Sequence, residues 1–345
     1  MKSYIPILLV GVCLGWAGGS NRALAADVNT INSTGSAAVT NASSIQTSDN
    51  VEFTIGPVYV DAPELAVRPE VPHGTLHDLT LDSADSQSYP GVAKKQPGVA
   101  PYKRKVCVYV PQQYVPGTPA PFIVVQDGLS YRGMLPKVLD NMINDHRLPV
   151  MIAVMINSGG GDGPGSERGL EYDTVSDKYA LFIETEVLPT IARECQVAFT
   201  KDPAGRATMG GSSGGAAAFT MAWFHPELYH RVLTYSGTYV NQQFPTNAAS
   251  PHGAWEYHEH LIPQSDPKPL RVWLEVSEHD NGFNRDEASR HNWLIANQHM
   301  AAALKAKGYQ YRYVYALDAH HTDGRVTRQT LPWALEWLWA GYPAN

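Results

Sequence analysis

Cysteine is scarce in this chain of 345 residues, which holds three: Cys13, Cys107 and Cys195. So few thiols exclude the disulfide framework of a small secreted scaffold. Basic charge is short as well, with 26 Lys and Arg against 33 Asp and Glu and a formal net charge of −7. Nucleic-acid partners need a basic excess to neutralise phosphates, so none is expected. Internal repeats are absent, which excludes a solenoid or a propeller.

What is present begins with an address. Residues 1–25 carry Lys2, an apolar stretch over 5–16 and the ending Ala23-Leu24-Ala25, the layout of a signal peptide cleaved before Ala26. Val12 stands before Cys13 where a lipoprotein signal would have a small residue. A periplasmic or secreted product without a membrane anchor is therefore expected. Cleavage would remove two basic residues, Lys2 and Arg22, and no acidic one, taking the net charge from −7 to −9. It would leave Cys107 and Cys195, which nothing in the sequence brings together. Residues 26–50 are mostly Ser, Thr, Asn and Ala without apolar period, a leader that cannot form a core. Residues 51–345 suit one α/β domain.

The most informative segment is Thr208-Met209-Gly210-Gly211-Ser212-Ser213-Gly214-Gly215-Ala216. It joins a short strand to a small-residue helix through G-x-S-x-G, a turn so tight that the residues flanking the serine must be small. Amides at the start of the helix aim at developing negative charge. The pattern fits two registers. Ser212 falls at the apex if the strand is 206–209, and Ser213 then lies one residue too deep, contributing its backbone amide to an oxyanion hole.

A nucleophilic serine needs a base and an orienting acid, which in this arrangement follow as Asp or Glu, then His. The alternating run 270–276 reads as a strand whose following loop, Ser277-Glu278-His279-Asp280, offers Asp280, with Glu278 as rival. A helix over 289–307 leads to a strand over 311–316 and to Asp318-Ala319-His320-His321, which offers His321, with His320 in reserve. Strand-plus-helix spacings put all three at one sheet edge. Residues 76–82 and 102–111 read as antiparallel strands opening the sheet, and 121–126 and 150–156 as further strands. Apolar period marks helices through Tyr179, Leu181, Phe182, Val187, Leu188 and Ile191, and through Trp293, Ala296, Met300, Ala303 and Leu304. Strands alternating with helices imply an α/β fold with a mostly parallel central sheet, helices on both faces, and antiparallel strands at the N-terminal edge.

The run Lys105-Val106-Cys107-Val108-Tyr109-Val110-Pro111, the stretch Val124-Val125-Gln126-Asp127-Gly128, Glu186-Val187-Leu188-Pro189, the elbow and Gly308-Tyr309 together resemble the bacterial esterases of the α/β-hydrolase fold. That family includes enterochelin esterases, feruloyl esterases and S-formylglutathione hydrolases. The resemblance spans 74–341 and implies an α/β-hydrolase that cleaves an ester through an acyl-enzyme. It also implies that Leu129, after Asp127-Gly128, supplies the second oxyanion amide. Ser277 stands where the family's acid loop has glycine, and Asp318-Ala319-His320-His321 where it often has Gly-Gly-His.

Other segments carry weaker signals. The glycine-rich stretch 157–165 lacks both the lysine-serine ending and the G-x-G-x-x-G spacing of phosphate loops and reads as a loop near the site. Arg168 and Glu171 read as a structural ion pair. Among 13 histidines, His258-Glu259-His260 is the tightest cluster, but no third ligand sits at zinc-like spacing. No metal or cofactor is expected. Trp255, Tyr257, Phe283 and Trp293 sit in or beside loops expected to border the cleft, where aromatic rings would receive an acyl or phenolic group. The expected activity is hydrolysis of a small-molecule or carbohydrate-linked ester. An acyltransferase using the same triad and a non-catalytic binding protein on the same scaffold are the alternatives.

Overall fold

A computed structural model describes residues 50–93 and 98–344. The expected signal peptide and all of the leader except Asn50 lie outside the described residues. Five strands precede the first long helix: β1 (Val51–Ile55), β2 (Thr75–Asp82), β3 (Lys103–Val110), β4 (Pro119–Ala120) and β5 (Phe122–Gln126). Six follow: β6 (Ile152–Ile156), β7 (Ala198–Phe199), β8 (Arg206–Gly211), β9 (Arg231–Tyr235), β10 (Arg271–His279) and β11 (Gln310–His320). Every residue of β5, β6, β8 and β9 is buried, as expected of central parallel strands covered on both faces.

Nine strands form one sheet in the order β1-β11-β10-β9-β8-β5-β6-β3-β2. Pairing is parallel from β1 through β6 in that order and antiparallel at β6-β3 and β3-β2. The antiparallel opening strands therefore lie where the sequence puts them. At the opposite edge, β1 pairs in parallel with β11, Val51 opposite Arg312 and Ile55 opposite Ala316.

The helices are α1 (Leu135–Asn144), α2 (Glu167–Tyr172), α3 (Lys178–Phe182), α4 (Leu188–Cys195), α5 (Ser213–Phe224), α6 (Ile262–Gln264), α7 (Trp293–Ala306) and α8 (Gly324–Trp339). Alternation in the strands decides which face each one fills. Val106, Val108, Phe122, Val124, Val154 and Leu274 join the cluster containing α3, α4, α5 and α7. Cys107, Tyr109, Ile123, Val125, Ala153 and Trp273 join the cluster containing α1 and α8. The two-sided layering is that of an α/β-hydrolase.

Two helical expectations change in detail. The helix through Tyr179 and Ile191 is interrupted by a π turn, Ile183–Val187. Pro189 has no N–H to donate back, and the wider turn accommodates it; ahead of it on α3, Leu181 is exposed. The helix expected from 289 starts at Trp293, because the Asn292 side chain caps it by accepting from Ile295 N at 3.1 Å. Cys107 and Cys195 are free thiols. Among the described residues no helix is long and apolar enough to cross a membrane.

Candidate active site

The site starts at the turn from β8 into α5. Ser212 has φ +56° and ψ −130°, a strained conformation for a residue with a β-carbon. Its amide donates to the Tyr235 carbonyl at 2.9 Å, and its carbonyl accepts from Thr238 N at 3.0 Å and Gly215 N at 2.9 Å. A β-carbon on Gly210 would fall 2.3 Å from the Gly214 backbone, so G-x-S-x-G is a packing requirement of the elbow. The two registers are physically distinct: Ser213 is 1% exposed and its hydroxyl accepts from Gln242 Nε2 at 3.3 Å, whereas Ser212 opens into a cleft.

β10 and β11 end beside that cleft. His321, between β11 and the N-terminus of α8, brings Nε2 to 2.8 Å from Ser212 Oγ and Nδ1 to 2.5 Å from Asp280 Oδ1. Asp280, in the loop after β10, is 1% exposed and also accepts from Asn281 N at 2.7 Å. Such a relay can take the serine proton while the buried carboxylate fixes the imidazole tautomer. Beneath it, Glu275 is fully buried. Burial and then the Asp280 charge push its carboxyl well above the ordinary range, and Ser277 Oγ lies 3.2 Å from its Oε1.

Trp293 forms part of the cleft wall, edge-on to the His321 ring at 6.0 Å. Its Nε1 donates to Thr238 Oγ1 at 3.1 Å, and Thr238 Oγ1 lies 3.3 Å from Ser212 Oγ. Thr238 escapes sequence reasoning because it follows β9, a five-residue strand with no glycine or proline signal at its start. Asp127, Ser130, Tyr131, Asp162, Arg168, Gln242 and Asn281 complete a polar cleft of about 350 Å³. Arg168 bonds Asp127 Oδ2 at 2.7 Å and Asp162 Oδ1 at 2.9 Å. Burial opposes its charge, yet Asp127 more than offsets this and holds the guanidinium above its ordinary range.

Several expected residues stand elsewhere. Trp255 and Tyr257 do not reach the cleft: Tyr257 is fully buried and donates to Thr220 Oγ1 at 2.7 Å, and Trp255 packs against His258 and His299. Large aromatics in this excursion find more apolar contact in the helix layer than at a polar cleft. Phe283 is half exposed and leans on His279. Glu278 accepts the Asp318 amide at 2.8 Å, and the His320 ring lies 5.5 Å from the His279 ring at a tilt of 37°. Arg168 and Glu171 do not pair with each other. On α2 they project apart, and Glu171 bonds Arg104 Nη1 at 2.7 Å in the interior.

As the first residue of α5, Ser213 has an amide with no acceptor within the helix. The Leu129 amide donates to Asn157 Oδ1 at 3.2 Å, and the cleft wall at that turn is formed instead by Asp127, Ser130 and Tyr131.

A mostly parallel sheet with a serine at a strand-to-helix elbow, and an aspartate and a histidine after the next two core strands but one, defines an α/β-hydrolase. The chain belongs to the Esterase family, whose model matches residues 99–332. No curated protein matches it in sequence. Among solved structures it is similar to the enterobactin esterase FES from Shigella flexneri determined with enterobactin: 22% identity, TM-score 0.56, covering 79% of this chain and 60% of that one. It is also similar to a ferulic acid esterase (18% identity, TM-score 0.53, 77% of this chain and 99% of the other). The S954A feruloyl esterase module from Clostridium thermocellum complexed with sinapinate aligns at 16% identity and TM-score 0.52, over 83% and 95% of the two chains. The chain thus spans about 60% of the length of the enterobactin esterase.

Proposed function

We propose that this protein is an exported serine carboxylesterase acting through an acyl-enzyme. Ser212 attacks the ester carbonyl, His321 accepts its proton and returns one to the leaving alcohol, and Asp280 orients the imidazole and stabilises the imidazolium. The observation that carries this reading is the continuous contact Ser212 Oγ to His321 Nε2 at 2.8 Å and His321 Nδ1 to Asp280 Oδ1 at 2.5 Å, built on a strained elbow. The Ser213 amide holds the oxyanion. Leu129 joins it as second donor if its amide exchanges Asn157 for the substrate oxygen. No metal or organic cofactor enters this chemistry.

The cleft is small, and its polar lining suits a compact ester with hydroxyl or phenolic groups better than a long acyl chain. Trp293 is the aromatic wall. Enterobactin and ferulic acid esters, suggested by the names of the similar structures, are the first esters to assay, the ferulic acid esters being the more compact. Export rests on residues 1–25 and leads to a periplasmic or secreted enzyme. Two measurements test the proposal. Fluorophosphonate labelling of the purified chain should map by peptide mass spectrometry to Ser212 and vanish with activity in Ser212→Ala; adduct on Ser213 refutes the assignment. N-terminal analysis of the product recovered outside the cytoplasm should begin at Ala26.

A further inference from the structure

The histidine-rich segment between β9 and β10 is arranged differently from its sequence order. His258 turns inward and packs edge-on against the Trp255 ring at 4.4 Å. His252 takes its place beside the carboxylates. His252 Nδ1 lies 2.9 Å from Glu256 Oε1 and 3.8 Å from Glu259 Oε2. On the other side, His260 Nδ1 lies 2.7 Å from Glu256 Oε2 and 3.9 Å from Glu259 Oε2. Donor atoms of His252, Glu256 and Glu259 all fall within 4.8 Å of one another.

Two features set this group apart from a surface ion-pair cluster. The Glu256 side chain is 5% exposed and lies between the rings of His252 and His260, with the His252 amide donating to its Oε1 at 3.2 Å. His252 Nδ1 is itself buried and makes no hydrogen bond despite the nearby carboxylate oxygen. A buried ring nitrogen facing an oxygen out of hydrogen-bond alignment is what two ligands of a shared ion look like. Tetrahedral zinc, with bonds of about 2.0–2.1 Å, separates neighbouring donors by roughly 3.3 Å, a distance inside the observed range.

We propose that His252, Glu256 and Glu259 bind one divalent transition-metal ion, zinc foremost, with His260 or water in the fourth position. Imidazole nitrogens select such an ion over calcium or magnesium, and two carboxylates neutralise its charge. The ion ties together both ends of the Gly253–Leu261 excursion. Through Glu259, which lies 3.8 Å from Arg290, it also steadies the loop that runs from Asp280 to Asn292. None of the ligands lines the Ser212 cleft, so the role is structural and leaves the ester chemistry to the serine.

The test uses the full chain, stripped with EDTA and titrated with zinc chloride against a fluorescent chelator. One zinc per chain is expected. The affinity should drop more than about 100-fold in the His252→Ala/Glu259→Gln double variant, since even outer-shell partners of a metal are worth roughly 10–100-fold. His291→Ala, a surface histidine outside the cluster, should bind as the parent does. Zinc should raise the thermal midpoint of the parent and not of the double variant, while kcat for a p-nitrophenyl ester stays the same in both. Equal zinc affinity in parent and double variant, or no stoichiometric uptake by the parent, overturns the proposal.

Discussion

At Ser212 the chain holds φ +56° on a residue with a β-carbon, at a cost of about 1–3 kcal/mol. This strain is supported by the hydrogen bonds around the elbow and serves to expose the hydroxyl. Ser212→Gly should therefore raise the thermal midpoint while abolishing turnover, a split that simple loss of structure cannot produce. Ser212→Ala and His321→Ala should each lower kcat by about 10⁴-fold or more, whereas Ser213→Ala should keep most activity because its hydroxyl faces Gln242. A second residue-scale effect belongs to Asp173, 3% exposed behind Ser213. Burial raises its pKa to about 6, partly offset by Gln242 and Ser213. The unfolded chain has this carboxyl near its ordinary 3.8, so the folded state holds the proton more tightly. Its contribution to stability is full below about pH 4 and is lost as pH rises through about 6. Asp173→Asn should remove that decline, recovering on the order of 2–3 kcal/mol at pH 7, as measured by urea unfolding at pH 4 and pH 7.

Between elements, the tightest constraint is the approach of β8 to α5. Gly210→Ala should destabilise by about 1–3 kcal/mol or more, since a β-carbon 2.3 Å from Gly214 backbone cannot be relieved by a rotamer. Gly324→Ala, at the start of α8 with no atom near its added methyl, should be neutral or stabilising by up to about 1 kcal/mol. Comparing the two midpoints by calorimetry separates elbow packing from a general intolerance of alanine. The elbow, β10 and β11 were legible in the sequence because turn chemistry and alternation coincide there. Asp280 and His321 followed from strand ends, where neighbouring candidates are separated by local geometry: His320 points to the other side because side chains alternate along a strand, and Glu278 is held by the Asp318 amide at 2.8 Å. β9 gave no comparable signal, because no glycine or proline marks its start. The aromatics Trp255 and Tyr257 misled for a different reason. Composition marks a ring as apolar but not which of two apolar environments it will enter, and here the helix layer took both.

Across the whole molecule, the sheet is closed at one edge by a strand from the far end of the described chain. β1 covers β11, the strand that leads directly into His321. Asn50 extends this contact: its side chain donates to the Tyr309 carbonyl at 2.8 Å and accepts from Tyr311 N at 2.8 Å. Phe53 adds an edge-on contact to the Trp273 ring at 6.0 Å. A shortened chain starting at Asn50 retains all of these interactions, and it should keep the thermal midpoint and esterase activity of the full chain. Starting at Gly56 instead removes β1, exposing the N–H and C=O groups of β11 along an apolar strand, a template for pairing with another chain. That shorter form should melt several degrees lower and self-associate on gel filtration. Its activity should fall mainly through kcat, because the loosened end of β11 no longer holds His321 in line between Asp280 and Ser212. If both shortened chains matched the full chain in midpoint and kcat, β1 would be an accessory strand, and His321 would be positioned by α8 and the Asp280 loop alone.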